Sequence, residues 1–204
     1  MDALTPAIHD DIRGVPGSFE KTFNGLKALS KIKSSYPNIN FNVISIILNE
    51  NLEELLPLAN LLKSLKVNSI QFQPLLVNNL IMNTRSNRAK YWIPKERLPL
   101  LDEVIDGLVE FKRRNYHLVR NSEENLKLAE KYFRGALTDK DVECLYAVKT
   151  MLVANNGEVT TCFDCYGNVR KNSLKEIFYS ASAKKARQKV AACKQPCLLS
   201  CFCD

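Results

Sequence analysis

Hydrophobic positions in residues 1–120 follow two alternating patterns, the three-to-four-residue spacing of helices and the two-residue spacing of strands. The helical pattern predicts a helix that Ser18 caps and Pro37 ends. Alternating apolar and polar residues over 39–47 then predict a largely buried strand.

Further helix and strand patterns follow in the same order. Asn51, with Glu54 three residues later, predicts the capped start of a second helix, and residues 67–72 predict a second strand. The polar run 78–90 predicts a loop, and a long amphipathic helix is predicted after Pro94. Such alternation is typical of βα units that build a parallel sheet.

Residues 144–204 carry a different pattern, with turn and cap signals close together. The dipeptide Asn156-Gly157 predicts a hairpin turn because both residues tolerate positive φ. Ser173 and Glu176 form a capping box that predicts a helix running toward Val190. These signals predict a small α+β domain.

The predicted fold class is therefore α/β, with a partial (β/α) TIM-like barrel over residues 1–120, a helical linker over 121–143 and a small α+β cysteine-rich domain over 144–204. A closed (β/α) barrel typically needs eight units and ~250 residues. This chain has 204 residues, so the first segment predicts only an incomplete barrel or a short open sheet.

Composition and charge are typical of a folded, water-soluble chain. Hydrophobic residues make up 46% and charged residues 25%, with a net charge of +7. The densest basic clusters, 112–114 and 184–187, fall late in predicted helices, so we expect solvated helix faces and no nucleic-acid partner. We see no signal peptide and no membrane-spanning stretch, and we expect a cytoplasmic protein without membrane contact.

All the cysteines lie after residue 143: Cys144, Cys162, Cys165, Cys193, Cys197, Cys201 and Cys203. An odd number of cysteines in a reducing compartment argues against a disulfide framework. Clustered thiolates are soft ligands that bind iron–sulfur clusters or zinc. The pattern therefore predicts a metal centre in this part of the chain.

Four of these cysteines are the predicted metal ligands. Cys144 and Cys162 flank the predicted hairpin, which would bring their sulfur atoms to one end of it. Cys193 and Cys197 follow a helix that can fold back on that hairpin. Ligands from two distant segments would then hold the small domain together.

Three further cysteines leave the ligand set open. Cys201 and Cys203 are alternatives for the last two positions, and Cys165 is a ligand, a spare thiol or a small buried hydrophobe. The metal is open as well. Zinc, held by the same thiols in a binding module without chemistry of its own, is the alternative to an iron–sulfur cluster.

Motifs at both ends of the chain resemble radical S-adenosylmethionine (SAM) enzymes. The order Cys-x12-Gly-x4-Cys over residues 144–162, with the stretch 166–177 and a later cysteine cluster, resembles their SPASM/Twitch extension. Residues 2–4 (Asp-Ala-Leu) and 9–19 (His-Asp-Asp-Ile-Arg-Gly, then Gly-Ser-Phe) resemble the segment after the fourth barrel strand. The resemblance covers almost the whole chain.

This resemblance implies an auxiliary [4Fe–4S] cluster near the cysteines and a SAM site at the carboxyl ends of the barrel strands. It implies cofactor contacts from polar residues near those ends: Arg13, Ser45, Asn49 and Gln73, with Asp2 and Gln71 beside them. Arg13 would meet the SAM carboxylate, a task that suits a guanidinium. A capping or surface role is the alternative for each residue.

One part of the family pattern is absent. Cys-x3-Cys-x2-Cys, which holds the SAM-cleaving cluster in the family, does not occur in this sequence. We therefore expect a partner subunit or a missing N-terminal half, and no SAM cleavage by this chain alone. A peptide is the expected substrate of the whole enzyme, with sugars or alcohols as alternatives. The catalytic residues stay open: Asp164 is either a general base or a surface-loop residue.

Overall fold

The computed structural model describes residues 1–36, 38–76, 78–79, 84–85, 88–146, 148–162, 164–194 and 197–198. The chain forms two compact units. The first comprises Met1–Leu75 with Ala89–Ala136, and the second comprises Leu76–Arg88 with Leu137–Asp204. The domain boundaries at residues 120 and 143 stay predictions. In the later part of the chain, the boundary between the two units lies after Ala136.

The elements follow one another in the alternating order that the sequence predicts. The helices are α1 (Pro6–Arg13), α2 (Ser18–Ser35), α3 (Leu55–Ser64), α4 (Arg88–Tyr91), α5 (Leu98–Arg114), α6 (Glu123–Phe133), α7 (Leu174–Tyr179) and α8 (Ala181–Ala191). The strands are β1 (Asn42–Ile47), β2 (Ser69–Pro74), β3 (Asn78–Asn79), β4 (Thr84–Arg85), β5 (Leu152–Val153), β6 (Glu158–Thr160) and β7 (Cys165–Asn168). Short 3-10 turns at Asn49–Glu54 and Lys95–Arg97 precede α3 and α5.

A parallel pair of strands, β1 and β2, lies at the centre of the first unit, with Val43 opposite Ile70. Val119 extends the pair through a parallel bridge to Ile70. Asn121 continues this edge, because its side-chain amide accepts from the Phe72 N–H at 2.8 Å and donates to the Phe72 carbonyl at 2.7 Å. The Asn121 amide thus satisfies the backbone of β2 as a neighbouring strand would.

Apolar faces of α3 and α5 form the core of the first unit together with the strands. The fully buried side chains include Ile47, Leu55, Leu58, Leu62, Ile70, Phe72, Leu101, Ile105 and Leu108. These residues lie in the helices and strands that the sequence predicted, and each contributes roughly 1.5–3 kcal/mol by leaving water. Helix α6, predicted as part of a linker, contributes Leu126 and Phe133 to the same core.

The start of α2 differs from the prediction that Ser18 caps it. Ser18 is the first helical residue, and the cap position is Gly17, whose φ of +75° is left-handed. The carboxylate of Asp10 accepts from the Gly17 and Phe19 N–H groups at 2.6 and 2.7 Å. The acceptor therefore comes from α1, an element that the hydrophobic pattern did not predict. Helix α2 ends at Ser35, and the predicted stop at Pro37 lies outside the described residues.

The predicted capping pair Asn51 and Glu54 was also wrong. Asn51 is buried, accepts from the Leu48 N–H at 2.9 Å and donates to the carbonyls of Asp2 and Ile46 at 2.6 and 2.7 Å. Glu54 instead accepts from the backbone N–H groups that open α1. Besides its local bond to Leu48, Asn51 thus connects Asp2 to β1, and Glu54 connects the start of α1 to the 3-10 turn before α3.

The second unit contains the predicted hairpin, followed by a strand that the pattern missed. β5, β6 and β7 form an antiparallel sheet in that order, so β7 extends the hairpin. At the turn only Gly157 has positive φ, at +84°, because the Asn156 side chain instead accepts from the Glu158 N–H. The dipeptide thus makes the hairpin with one left-handed residue rather than two.

Two helices replace the single helix predicted toward Val190. Ser173 and Glu176 form the predicted capping box of α7, but Ser180 ends that helix and caps α8. α7 approaches β7 so closely that a Cβ on Gly167 would lie 2.5 Å from Cγ2 of Ile177. This contact and the buried Val159 form the small core of the unit.

The mixed α/β class is confirmed. Among the described residues the sheets are small and no closed barrel is formed, so the partial barrel stays a prediction. The predicted loop 78–90 falls partly outside the described residues, and within it β3 pairs antiparallel with β4. None of the helices in the described part of the chain has the length and apolar character needed to cross a membrane.

Candidate metal centre

A buried tyrosine ties the two predicted ligands of the hairpin region together. Tyr146 is fully buried, and its hydroxyl donates to the Thr160 carbonyl at 3.1 Å. Tyr146 follows Cys144 by two positions, and Thr160 precedes Cys162 by two. The hydrogen bond therefore holds the segment of Cys144 beside the end of β6, which carries the chain to Cys162.

A tight turn connects Cys162 to β7. The Thr161 N–H donates to the Asp164 carbonyl at 2.8 Å, and the Asp164 N–H donates to the Thr161 hydroxyl at 3.2 Å. Cys165 then begins β7 with an exposed side chain, and its thiol lies 3.5 Å from the Gly167 carbonyl. Its exposure excludes the alternative that Cys165 is a small buried hydrophobe.

Helix α8 carries the chain to the later cysteines. Val190 is buried in the last turn of the helix, and the Cys193 N–H donates to the Val190 carbonyl at 3.0 Å. Cys193 and Cys197 are both half-buried. The side chain of Lys194 forms an ion pair with Asp139 at 3.1 Å, which fixes the chain immediately after Cys193.

The four predicted ligands interact electrostatically. Burial, together with the nearby thiols of Cys144, Cys197 and Cys193, raises the pKa of the Cys162 thiol to about 11. The sulfur atoms of the hairpin region and of the segment after α8 are thus close enough to influence one another. Cys165 is not among the groups that shift the Cys162 pKa.

A raised pKa has a direct consequence for metal binding. Because the thiolate is the metal ligand, Cys162 must release its proton when it binds, and a metal's positive charge supplies the driving force. Within the described residues, no three side chains among histidine, cysteine, aspartate and glutamate form a ready-made metal site. In the described part of the chain the four thiols are near enough to influence the Cys162 pKa, but they do not form a metal site as they stand. Cys201 and Cys203 lie outside the described residues.

The residues predicted to contact SAM lie in the first unit, where most have partners of their own. Arg13 forms an ion pair with Asp2 at 2.7 Å, so its charge is already balanced. The Asn49 side chain accepts from Arg97 at 3.1 Å. Ser45 is buried, and its hydroxyl has no hydrogen-bond partner in the described part of the chain.

Gln73 and Gln71 lie on the other face of the same strand pair. In the parallel register Gln73 is opposite Ile46, and Gln71 is opposite Ile44. Gln73 is half-buried and Gln71 is buried. The six predicted SAM residues therefore belong to one unit, and their role in SAM binding stays a prediction.

Comparison with protein families identifies the cysteine-rich segment. Residues 144–202 match the family model of SPASM, an iron–sulfur cluster-binding domain. This confirms the SPASM-like domain expected from the order of the cysteines and Gly157. The match covers only the C-terminal part of the chain. A search of curated proteins found no match.

The donor set fits such a group. Four thiols from two segments separated in sequence supply the soft ligands that iron–sulfur clusters require. Half-burial of these thiols lowers the local dielectric around them, which favours a neutralising metal. The sequence predicted these four cysteines but gave no signal for the contact of Tyr146, because its partner Thr160 lies 14 residues away across the hairpin.

Proposed function

We propose that this chain is the C-terminal part of a radical SAM enzyme and that Cys144, Cys162, Cys193 and Cys197 hold an auxiliary [4Fe–4S] cluster. The observation that carries the proposal is the match of residues 144–202 to the SPASM family model, together with the hydrogen bond from Tyr146 to Thr160 that holds the segments of Cys144 and Cys162 beside each other. The SPASM match over residues 144–202 favours iron and sulfide over zinc.

In this proposal the protein's own residues position and shield the centre. The hydrogen bond from Tyr146 to Thr160 and the turn after Cys162 hold two ligands, and α8 presents the third. When bound, an auxiliary cluster would accept an electron or position the substrate. The SAM-cleaving cluster would come from a partner subunit or a further segment that carries Cys-x3-Cys-x2-Cys, and the substrate would be a peptide.

Anaerobic purification followed by iron and sulfide analysis tests the cluster. We expect a brown protein with visible charge-transfer absorption and about four iron and four sulfide per chain. Colourless protein with one zinc per chain would overturn the iron–sulfur assignment and establish the zinc-binding module instead. A protein that takes up neither metal would overturn the proposed centre.

Single serine variants then test the ligand set. Cys144→Ser and Cys162→Ser should each lose most of the bound iron, since one of four ligands is weakened. Cys165→Ser is the matched control, because its thiol is exposed and does not shift the Cys162 pKa. If Cys165→Ser loses as much iron as Cys162→Ser, the proposed ligand set is wrong.

SAM binding is the second part of the proposal. Arg13 would exchange its ion pair with Asp2 for the SAM carboxylate, and the buried hydroxyl of Ser45 has no partner in the described residues to compete with a ligand. Titration calorimetry with SAM on the chain together with a subunit bearing Cys-x3-Cys-x2-Cys tests this. Binding that Arg13→Ala leaves unchanged would remove Arg13 from the site.

A further inference from the structure

An ion pair joins the two segments that carry the proposed ligands. The Lys189 ammonium lies 2.8 Å from Oδ1 and 2.7 Å from Oδ2 of Asp164, so it spans both carboxylate oxygens. Asp164 belongs to the turn after Cys162, and Lys189 belongs to the last turns of α8. In sequence the two charges are 25 residues apart.

Each charge is rigidly connected to a cysteine. The reciprocal hydrogen bonds between Thr161 and Asp164 close the turn that contains Cys162. On the other side, α8 ends at Ala191, and the Cys193 N–H donates to the Val190 carbonyl and closes a turn at the end of the helix. Lys189 is therefore joined to Cys193, four positions later, by the last residues of α8 and this turn.

This contact also changes how Asp164 is interpreted. A general base needs a carboxylate that is free to accept a proton from a substrate. Both oxygens of Asp164 are instead engaged by one ammonium, and the pair fixes the distance between two backbone segments. The carboxylate therefore suits a positioning role better than proton transfer.

We infer that Asp164 and Lys189 form a positioning pair that holds Cys162 and Cys193 at the spacing required by the metal centre. The inference rests on the proposed function, because it presupposes that both cysteines are ligands. Its effect should be modest, since Lys189 is 46% and Asp164 33% exposed and solvent screens such pairs. The pair would act on how well the centre is retained, not on whether the domain folds.

Loss of the reconstituted cluster to a chelator, followed by visible absorption, tests this in the full chain. Lys189→Gln and Asp164→Asn should each release the cluster about two- to fivefold faster than the wild type. The matched control is Lys185→Gln, which removes an exposed lysine from the same helix. High salt should shrink the difference between wild type and variants because it screens the pair.

Rescue separates positioning from a general loss of charge. Lys189→Arg should retain the wild-type rate, and the exchanged pair Asp164→Lys with Lys189→Asp should recover most of the loss. A wild-type chain that holds no cluster would overturn the proposed function and this inference together. If the wild type holds a cluster but Lys189→Gln releases it at the same rate as Lys185→Gln, the inference alone is overturned. The same holds if the exchanged pair releases the cluster faster than both single variants.

Discussion

The Tyr146 hydroxyl donates to the Thr160 carbonyl at 3.1 Å, at a position two residues from a cysteine on each side. The Tyr146 side chain is fully buried, and the hydrogen bond is partly buried. Cys144 and Cys162 are separated in sequence by the whole hairpin. The hydrogen bond of the Tyr146 side chain links their two segments more directly than the backbone does. The segment that carries Cys144 is thus held in place by a residue outside the proposed ligand set.

Replacing Tyr146 with phenylalanine should weaken this connection while keeping the ring. We expect a loss of about 0.5–1.5 kcal/mol, because the Thr160 carbonyl loses a buried donor. Hydrogen exchange measured by mass spectrometry should show faster exchange in β5 and β6. Tyr179→Phe is the control, since Tyr179 is 75% exposed and its variant should exchange like the wild type. Equal protection in the two variants would contradict the prediction.

Gly167 is required by the close packing of α7 on β7. A methyl group at this position would lie 2.5 Å from Cγ2 of Ile177, so Gly167→Ala should destabilise the second unit by about 1–3 kcal/mol. Hydrogen exchange across α7 and β7 measures this. The cost should be smaller when Ile177→Ala is already present, since that change removes the clashing atoms.

Gly25→Ala is the control, a glycine-to-alanine change that should stabilise the protein. Gly25 lies within α2 and a Cβ there meets nothing within 4 Å, so alanine should stabilise the helix by about 0.5–1 kcal/mol. An unchanged cost of Gly167→Ala in the Ile177→Ala background would show that the close approach is not the cause.

Local signals predicted much of the fold correctly. The Ser173–Glu176 capping box, the hairpin at Gly157 and the hydrophobic stripes of α3 and α5 depend on residues within one or two turns of each other. The four cysteines proposed as ligands were selected from their spacing over residues 144–197, and their shared ligation stays a prediction.

Contacts between distant residues could not be predicted in this way. Asp10 caps α2 from another helix, and Asn51 bonds to the Asp2 carbonyl 49 positions away. The ion pair between Asp164 and Lys189 likewise depends on the fold that brings two segments together. A single sequence gives the chemical character of these side chains but not their partners.

Asn51 should be among the most sensitive positions of the first unit. Its side chain makes three buried or partly buried hydrogen bonds to backbone groups, so Asn51→Ala should cost about 2–4 kcal/mol. Urea unfolding followed by the fluorescence of Trp92 measures this, because Trp92 packs against Tyr132 and Phe133 in the first unit.

Asn60→Ala is the matched control for that measurement. The Asn60 amide also donates to a backbone carbonyl, that of Leu56 at 3.0 Å, but it is exposed to water. Its loss should change the free energy of unfolding by less than about 0.5 kcal/mol. Similar costs for the two asparagines would show that burial of the Asn51 network is unimportant.

His9 should make the first unit sensitive to mild acid. Burial lowers the pKa of His9 below its ordinary value of 6.5, an effect that the Asp2 carboxylate partly opposes and the Arg13 guanidinium reinforces. The neutral ring accepts from the Asp2 N–H at Nδ1, at 3.1 Å, and protonation would remove that acceptor. The unfolded chain therefore binds a proton at a pH where the folded chain does not.

The sign of the pH dependence follows directly. The contribution of neutral His9 to stability is fully present above pH 6.5 and is lost as the pH falls below that value toward the lowered pKa of the folded state. The slope is at most about 1.4 kcal/mol per pH unit for one proton. His9→Asn, which keeps an acceptor but does not titrate, should flatten this part of the curve measured by Trp92 fluorescence. His117→Asn, at an exposed histidine, is the control and should leave the curve unchanged. If His9→Asn also leaves the curve unchanged, His9 is not the cause of the pH dependence.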